Sequence, residues 1–369
     1  MSKSSQRRLA ALAHVLAALM LLALGLFSLG HSALTPATAP PAPGADPALY
    51  RAIVVRMRQG ADYYTAAGIE LRAPRGPQGA HYPTRSVFNW RLPTLAWVLA
   101  RWPEGVTPAC IFGLVAVMAT VCFFVALRRE GSGAIAVSGS AVLFSGLLWG
   151  WTGLAPEALY VHETWTGLLI ALAIAARARG WTWIGVLAGV AALLVRELAL
   201  PFVVLSAYLA GREGKRYELA GWLIGLMAFG VFLFWHSQAV ASHIEPGDLA
   251  QSEGWLRLGG WTFVLKTAHL QPLLLGFLDT APGIVAVLLP LAIYGFGGWR
   301  TSLGGHVGLT VLTYVLAFSI AGQAFNYLWG LVYAPLWPLG LVFACRTVRQ
   351  DWASLGQRSA GEATSVRAA

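Results

Sequence analysis

The chain has 369 residues, 57% of them hydrophobic and only 11% charged, with a net charge of +10. That leaves too little polar surface to cover a soluble globule of this size, which excludes a soluble enzyme or adaptor and points to a polytopic membrane protein. The positive balance does not call for a nucleic acid, because most Lys and Arg stand at the ends of apolar runs, where they anchor segments at a membrane surface; anionic lipid headgroups or phosphate-bearing substrates are the expected partners.

In chain order, Leu9 to Leu29 is the first apolar run, preceded by Lys3, Arg7 and Arg8. It is long for a signal-peptide core, so it is expected to be an uncleaved anchor with its N-terminus in the cytoplasm. Further spans are expected at Ala109 to Leu127, Ala134 to Trp151, Trp165 to Ala176, Trp181 to Val195, Leu198 to Leu209, Leu219 to Trp235, Gly283 to Phe296, Val307 to Ile320 and Leu331 to Cys345. The expectation is therefore an all-α polytopic transmembrane fold of about ten helices, some short enough to be half-helices lining a cavity. Residues 1–349 form a single transmembrane domain in this reading, and residues 350–369 a disordered cytoplasmic tail. Cys110, Cys122 and Cys345 lie in or beside apolar runs without metal-ligand spacing and read as small buried hydrophobes.

The basic residues set a topology. Arg128 and Arg129, Arg177 and Arg179, Arg212 with Lys215 and Arg216, Arg300, and Arg346 with Arg349 fall on one side if the spans alternate, whereas the short loops on the other side carry no Lys or Arg. By the positive-inside rule both termini are cytoplasmic, and two long loops, about 30–92 and about 236–270, face outward.

The first outer loop opens with the linker TPATAPPAPGA, after which Asp46 and Pro47 read as a helix start. Tyr50, Ile53, Val54 and Met57 then share one face while Arg51, Arg56 and Arg58 project elsewhere, which describes an amphipathic surface helix. LPTLAWVLA, within His81 to Trp102, is too short to span and is expected to be a second interfacial or re-entrant helix. Asp62, in GADYY, lies between the two. The second outer loop contains His236, His243, Glu245, Asp248 and Glu253 in spacings that match no metal site, and reads as a solvated loop.

A first transmembrane helix, a large outer loop with surface helices and an acidic residue, and many further spans resemble the GT-C superfamily of membrane glycosyltransferases. The resemblance covers most of the chain in layout but few residues in motif. It implies an inverting transfer of a sugar from a polyprenyl-phosphate-linked donor to a lipid, glycan or protein acceptor, at the outer face of the inner (cytoplasmic) membrane. It implies Asp62 as general base or metal ligand, and Glu163 in VHETW, or Glu157 in APEAL, as a second acidic group. No soluble C-terminal domain like that of large members is expected within these residues, and a lone Asp62 stands where an Asp-Glu pair would, which leaves a divalent cation, Mg or Mn held by Asp62 and Glu163, as an open cofactor.

The chemistry asks for the same groups. Moving a glycosyl group to a hydroxyl needs a base and cations for the departing phosphate. Asp62, flanked by Tyr63 and Tyr64 at a partly desolvated interface, is expected to have a raised pKa. Arg85, Arg91 and Arg196 are the candidate phosphate clamps, with Arg196 favoured. Arg196 and Glu197 interrupt the apolar LLVRELALP, a costly placement, and Pro201 fits a break there that brings the charges to the outer surface. His162 would position a hydroxyl or metal beside Glu163. Two other readings stay open: a flippase or transporter of a lipid-linked sugar, with Arg196 and Glu197 lining a path, and a non-catalytic subunit of an envelope-polysaccharide assembly complex.

Overall fold

The computed structural model describes residues 45–74, 82–103, 106–148, 156–250, 260–271 and 283–366, with isolated helical residues between 6 and 23. Most of the expected anchor, Leu9 to Leu29, lies outside the described residues. The described chain is helical throughout, without a strand. Three short helices come first: α1 (Ala45–Arg58), α2 (Tyr63–Arg72) and α3 (Thr94–Ala100). Then follow α4 (Val106–Glu130), α5 (Gly133–Leu147), α6 (His162–Ala178), α7 (Thr182–Val195), α8 (Leu200–Arg212) and α9 (Arg216–Ala241). After α10 (Gly260–Ala268) the chain forms α11 (Gly283–Phe296), α12 (Ser302–Ile320) and α13 (Leu339–Val366).

Helices α4, α9 and α12 are long and apolar enough to cross a membrane; α5, α7 and α11 are apolar but shorter. The chain is a membrane protein on this evidence. Helix α6 is buried on nearly every side from His162 to Arg177, as a helix at the centre of a bundle must be. Its small residues permit close approach: a Cβ on Gly167 would stand 2.2 Å from the Leu331 carbonyl oxygen.

Short turns join α4 to α5, α6 to α7, and α8 to α9, so helix termini gather at two ends of the bundle. At one end Arg177 Nε lies 2.5 Å from Glu218 and Nη2 3.0 Å from Glu213, tying α6 to the α8–α9 turn. There too, Glu130 accepts hydrogen bonds of 2.9 Å from Trp299 Nε1 and from the Thr301 hydroxyl. The opposite end is covered by α1, α2, α3 and α10.

Three expectations need correction. The expected span Leu331 to Cys345 is not one helix: a 3-10 segment, Ala324–Val332, and turns lead into α13, and residues from Leu331 to Leu339 are almost wholly buried. The backbone there is irregular because it is enclosed by protein, where Tyr333 donates to the Val264 carbonyl oxygen at 3.3 Å and Trp337 Nε1 to that of Ala268 at 3.1 Å. The tail after Gln350, expected to be disordered, continues α13 as helix to Val366. The stretch 236–270, expected as a loop, is partly helical: α9 runs through His236 to Ala241, and α10 occupies Gly260–Ala268 with Trp261, Phe263 and Val264 buried.

Candidate functional site

The site is built at the covered end, from residues that lie far apart in sequence. Helix α1 buries Leu49, Tyr50, Ile53 and Val54, the face its apolar spacing dictates. Its start is fixed by Tyr82, whose hydroxyl donates to Asp46, and its second half by Arg56, which pairs with Glu70 of α2.

Asp62 caps α2. Its φ of −70° and ψ of 164° are extended, and Oδ1 accepts from the backbone N–H of Tyr64 (2.9 Å) and of Thr65 (3.1 Å). The carboxylate is exposed, while Tyr63 and Tyr64 turn inward and are buried. The expected rise in its pKa is therefore reversed: the side chain of Thr65, aided by the two backbone N–H groups and by His243, holds the carboxyl below its ordinary value. Asp62 is a well-solvated, ionised cap.

The two tyrosines after it connect the layers. The Tyr63 hydroxyl donates to the Trp90 carbonyl and lies 3.1 Å from that of Arg91. The Tyr64 hydroxyl is 2.9 Å from His236 Nδ1 on α9, and its ring packs among Trp90, Trp235 and His243. At the end of α2, Arg72 reaches the stretch after α9, pairing with Asp248 and Glu245. That stretch, expected to be a solvated loop, is thus tied to the first, and the Arg85 backbone N–H donates to the Leu249 carbonyl at 3.2 Å.

Beneath these helices lies a charged cluster. Arg196 is 1% exposed, with Nε 2.8 Å from Glu163 at the start of α6 and Nη1 donating to Glu197. A break does occur here: α7 ends at Val195, a 3-10 turn holds Glu197–Ala199, and Pro201 stands in the first turn of α8. Arg196 does not reach the outer surface, however; it is enclosed between two carboxylates. A buried charge in an apolar bundle persists only when paired, and this arrangement supplies the pairs. His162, 3% exposed, sets its ring edge-on to Tyr50 at 4.9 Å.

Arg91 completes the set. It is the one described non-glycine residue at positive φ, 56°, a backbone conformation that costs about 1 kcal/mol or more. That turn aims its guanidinium at neutral acceptors, the Tyr50 hydroxyl (Nε, 2.8 Å) and the Phe88 carbonyl (Nη1, 2.6 Å). Its positive charge acts on Glu163, which links it to the buried cluster.

The residues expected to act together separate into two groups. Glu163, Arg196, Glu197, His162 and Arg91 converge at the bundle end; Asp62 and Arg85 lie exposed outside it. No hydrogen bond or ion pair joins Asp62 to Glu163. Glu157 lies in the 3-10 turn Pro156–Tyr160, and its side chain is outside the described residues. Among the described residues no three His, Cys, Asp or Glu side chains gather as metal ligands. With Glu163 committed to Arg196 and Asp62 to a helix cap, the residues present do not fit the proposed Mg or Mn centre. Sequence reasoning gave Tyr50, Arg72 and Asp248 no part in the site; Tyr50 had a signal, as a tyrosine on the apolar face of α1, whereas the Arg72 contact had none. No family model, curated protein or solved structure matches the chain.

Proposed function

We propose that the chain is a membrane glycosyltransferase of the GT-C type, transferring a sugar with inversion from a polyprenyl-phosphate donor to a lipid, glycan or protein acceptor at the outer face of the inner membrane. The observation that carries this reading is the placement of Arg91: a strained residue whose charge is bonded only to neutral groups, at a bundle end roofed by amphipathic helices, with its backbone held by Tyr63, the residue after the ionised Asp62. In this reading Asp62 takes the proton of the acceptor hydroxyl as its oxygen bonds to the anomeric carbon. The bond from that carbon to the phosphate oxygen breaks, and Arg91 stabilises the charge left on the phosphate. Arg196, already neutralised by Glu163 and Glu197, becomes part of the frame, and the phosphate falls to Arg91 with Arg85 at the rim. Tyr63 couples the two halves, since it follows Asp62 and is bonded to the backbone that carries Arg91.

The test is transfer in proteoliposomes supplied with a panel of polyprenyl-phosphate sugars labelled in the sugar and a membrane lipid extract as acceptor. The reading expects label to move to a new lipid or glycan, releasing polyprenyl phosphate. Label that crosses the bilayer on an uncleaved donor would replace it with the carrier reading, and no handling of any donor would leave the assembly-subunit reading.

A further inference from the structure

A small cavity lies between the roof and the bundle, lined by Tyr50, Ile53 and Val54 of α1, Tyr63 of α2, Leu99 of α3 and His162 at the start of α6. It has room for about one water molecule. His162 is 3% exposed, and neither of its ring nitrogens makes a hydrogen bond. A neutral imidazole carries one N–H donor and one bare acceptor nitrogen, and buried groups of this kind are nearly always matched. Neither neighbouring hydroxyl bonds to the ring: that of Tyr50 is held by Arg91, and that of Tyr63 donates to the Trp90 carbonyl. The Leu92 backbone acts on the ring but lies outside hydrogen-bond geometry. Leu95, Ala96 and Tyr160 complete the lining.

We propose that this cavity is a binding site for a single hydroxyl group, held by the imidazole of His162. The space excludes a phosphate or a sugar ring, and the lining carries no charged side chain; a hydroxyl is small, neutral and able both to donate and to accept. It has two sources. Water supplies it in the resting protein, and a hydroxyl of an incoming molecule supplies it by displacing that water. The second source rests on the glycosyltransferase reading, with the acceptor alcohol as the entering group; the first does not.

The experiment is solid-state NMR of the full chain in lipid nanodiscs with 15N-labelled histidine, assigning His162 by the signal lost in His162→Gln and adding methanol as the probe. The expected result is a cross-peak between the His162 ring and a long-lived water. If methanol removes that cross-peak and shifts the His162 signal, the site accepts incoming hydroxyls. If methanol leaves it unchanged, the hydroxyl is resident water. A His162 ring with no water cross-peak and no response to methanol overturns the proposal. Because the readout is binding, a failure to find glycosyl transfer leaves it standing.

Discussion

Arg72 and Asp248, 176 positions apart, form a two-pronged ion pair in which Nε and Nη2 each lie 2.8 Å from a separate carboxylate oxygen. Nη2 also donates to the His243 carbonyl at 2.7 Å, and Nη1 stands 3.0 Å from Glu245. One side chain thus ties α2 to the chain leaving α9. Only a planar guanidinium makes this fork, so Arg72→Lys is expected to weaken it, and Asp248→Asn to cost about 2 kcal/mol. Thermal unfolding in detergent reads the loss, and limited proteolysis should place new cuts in residues 242–250. Unchanged melting in both variants would show the clasp to be idle.

The same pair predicts a pH dependence. Hydrogen bonds from Arg72, first among several, hold the Asp248 carboxyl well below its ordinary 3.8. As pH falls, the unfolded chain takes up this proton before the folded one does, so the stabilisation is complete above about pH 5 and is lost as the pH drops through 4 and below. Melting temperatures measured from pH 7 to pH 3 should fall more steeply for the native chain than for Asp248→Asn. Parallel curves would remove Asp248 from the account.

Glu163 and Arg196 are 3% and 1% exposed in their side chains, so breaking their pair leaves a charge in the bundle. Arg196→Met strands two carboxylates and is expected to cost about 3–5 kcal/mol. Glu163→Gln should cost less, since Arg196 keeps Glu197. The double variant should cost less than the sum of the singles by about 1–3 kcal/mol. Strict additivity in chemical denaturation would mean that the two residues are not energetically coupled.

Helices α11 and α13 touch through glycines. A Cβ on Gly295 would meet the Gly340 carbonyl oxygen at 1.9 Å, and one on Gly340 would meet that of Ala292 at 2.0 Å. Backbone cannot yield as a flexible side chain does, so Gly295→Ala should destabilise by about 1–3 kcal/mol or more. Gly305→Ala, which meets nothing within 4 Å, is the neutral comparison for the same thermal scan.

The legible part of this molecule was what local pattern dictates. Long apolar runs flanked by Arg gave α4 and α9, Asp46 and Pro47 marked the start of α1, and the spacing of Tyr50, Ile53 and Val54 marked its buried face. Helix α2 went unread, and with it the capping role of Asp62, which the sequence offered as a base. What stayed hidden depends on distant partners: the Arg72 fork needs Asp248, and the burial of Arg196 needs Glu163. Hydropathy also misread Leu331 to Cys345, because a segment enclosed by protein is as apolar as one enclosed by lipid while free to bend. It missed α10, where Lys266 and Thr267 dilute a short apolar run. Arg91 offered no hint of its left-handed backbone, since no glycine or asparagine marks the position.

The central claim is that the rim of this roofed site performs glycosyl transfer with Asp62 as base. Asp62→Asn is the sharpest test, because asparagine caps a helix about as well as aspartate and so preserves α2 while removing the proton acceptor. In proteoliposomes with a donor that the native chain uses, transfer by Asp62→Asn should fall at least about 100-fold with unchanged melting and donor binding. Transfer at the native rate by this variant would contradict the account and move the base elsewhere.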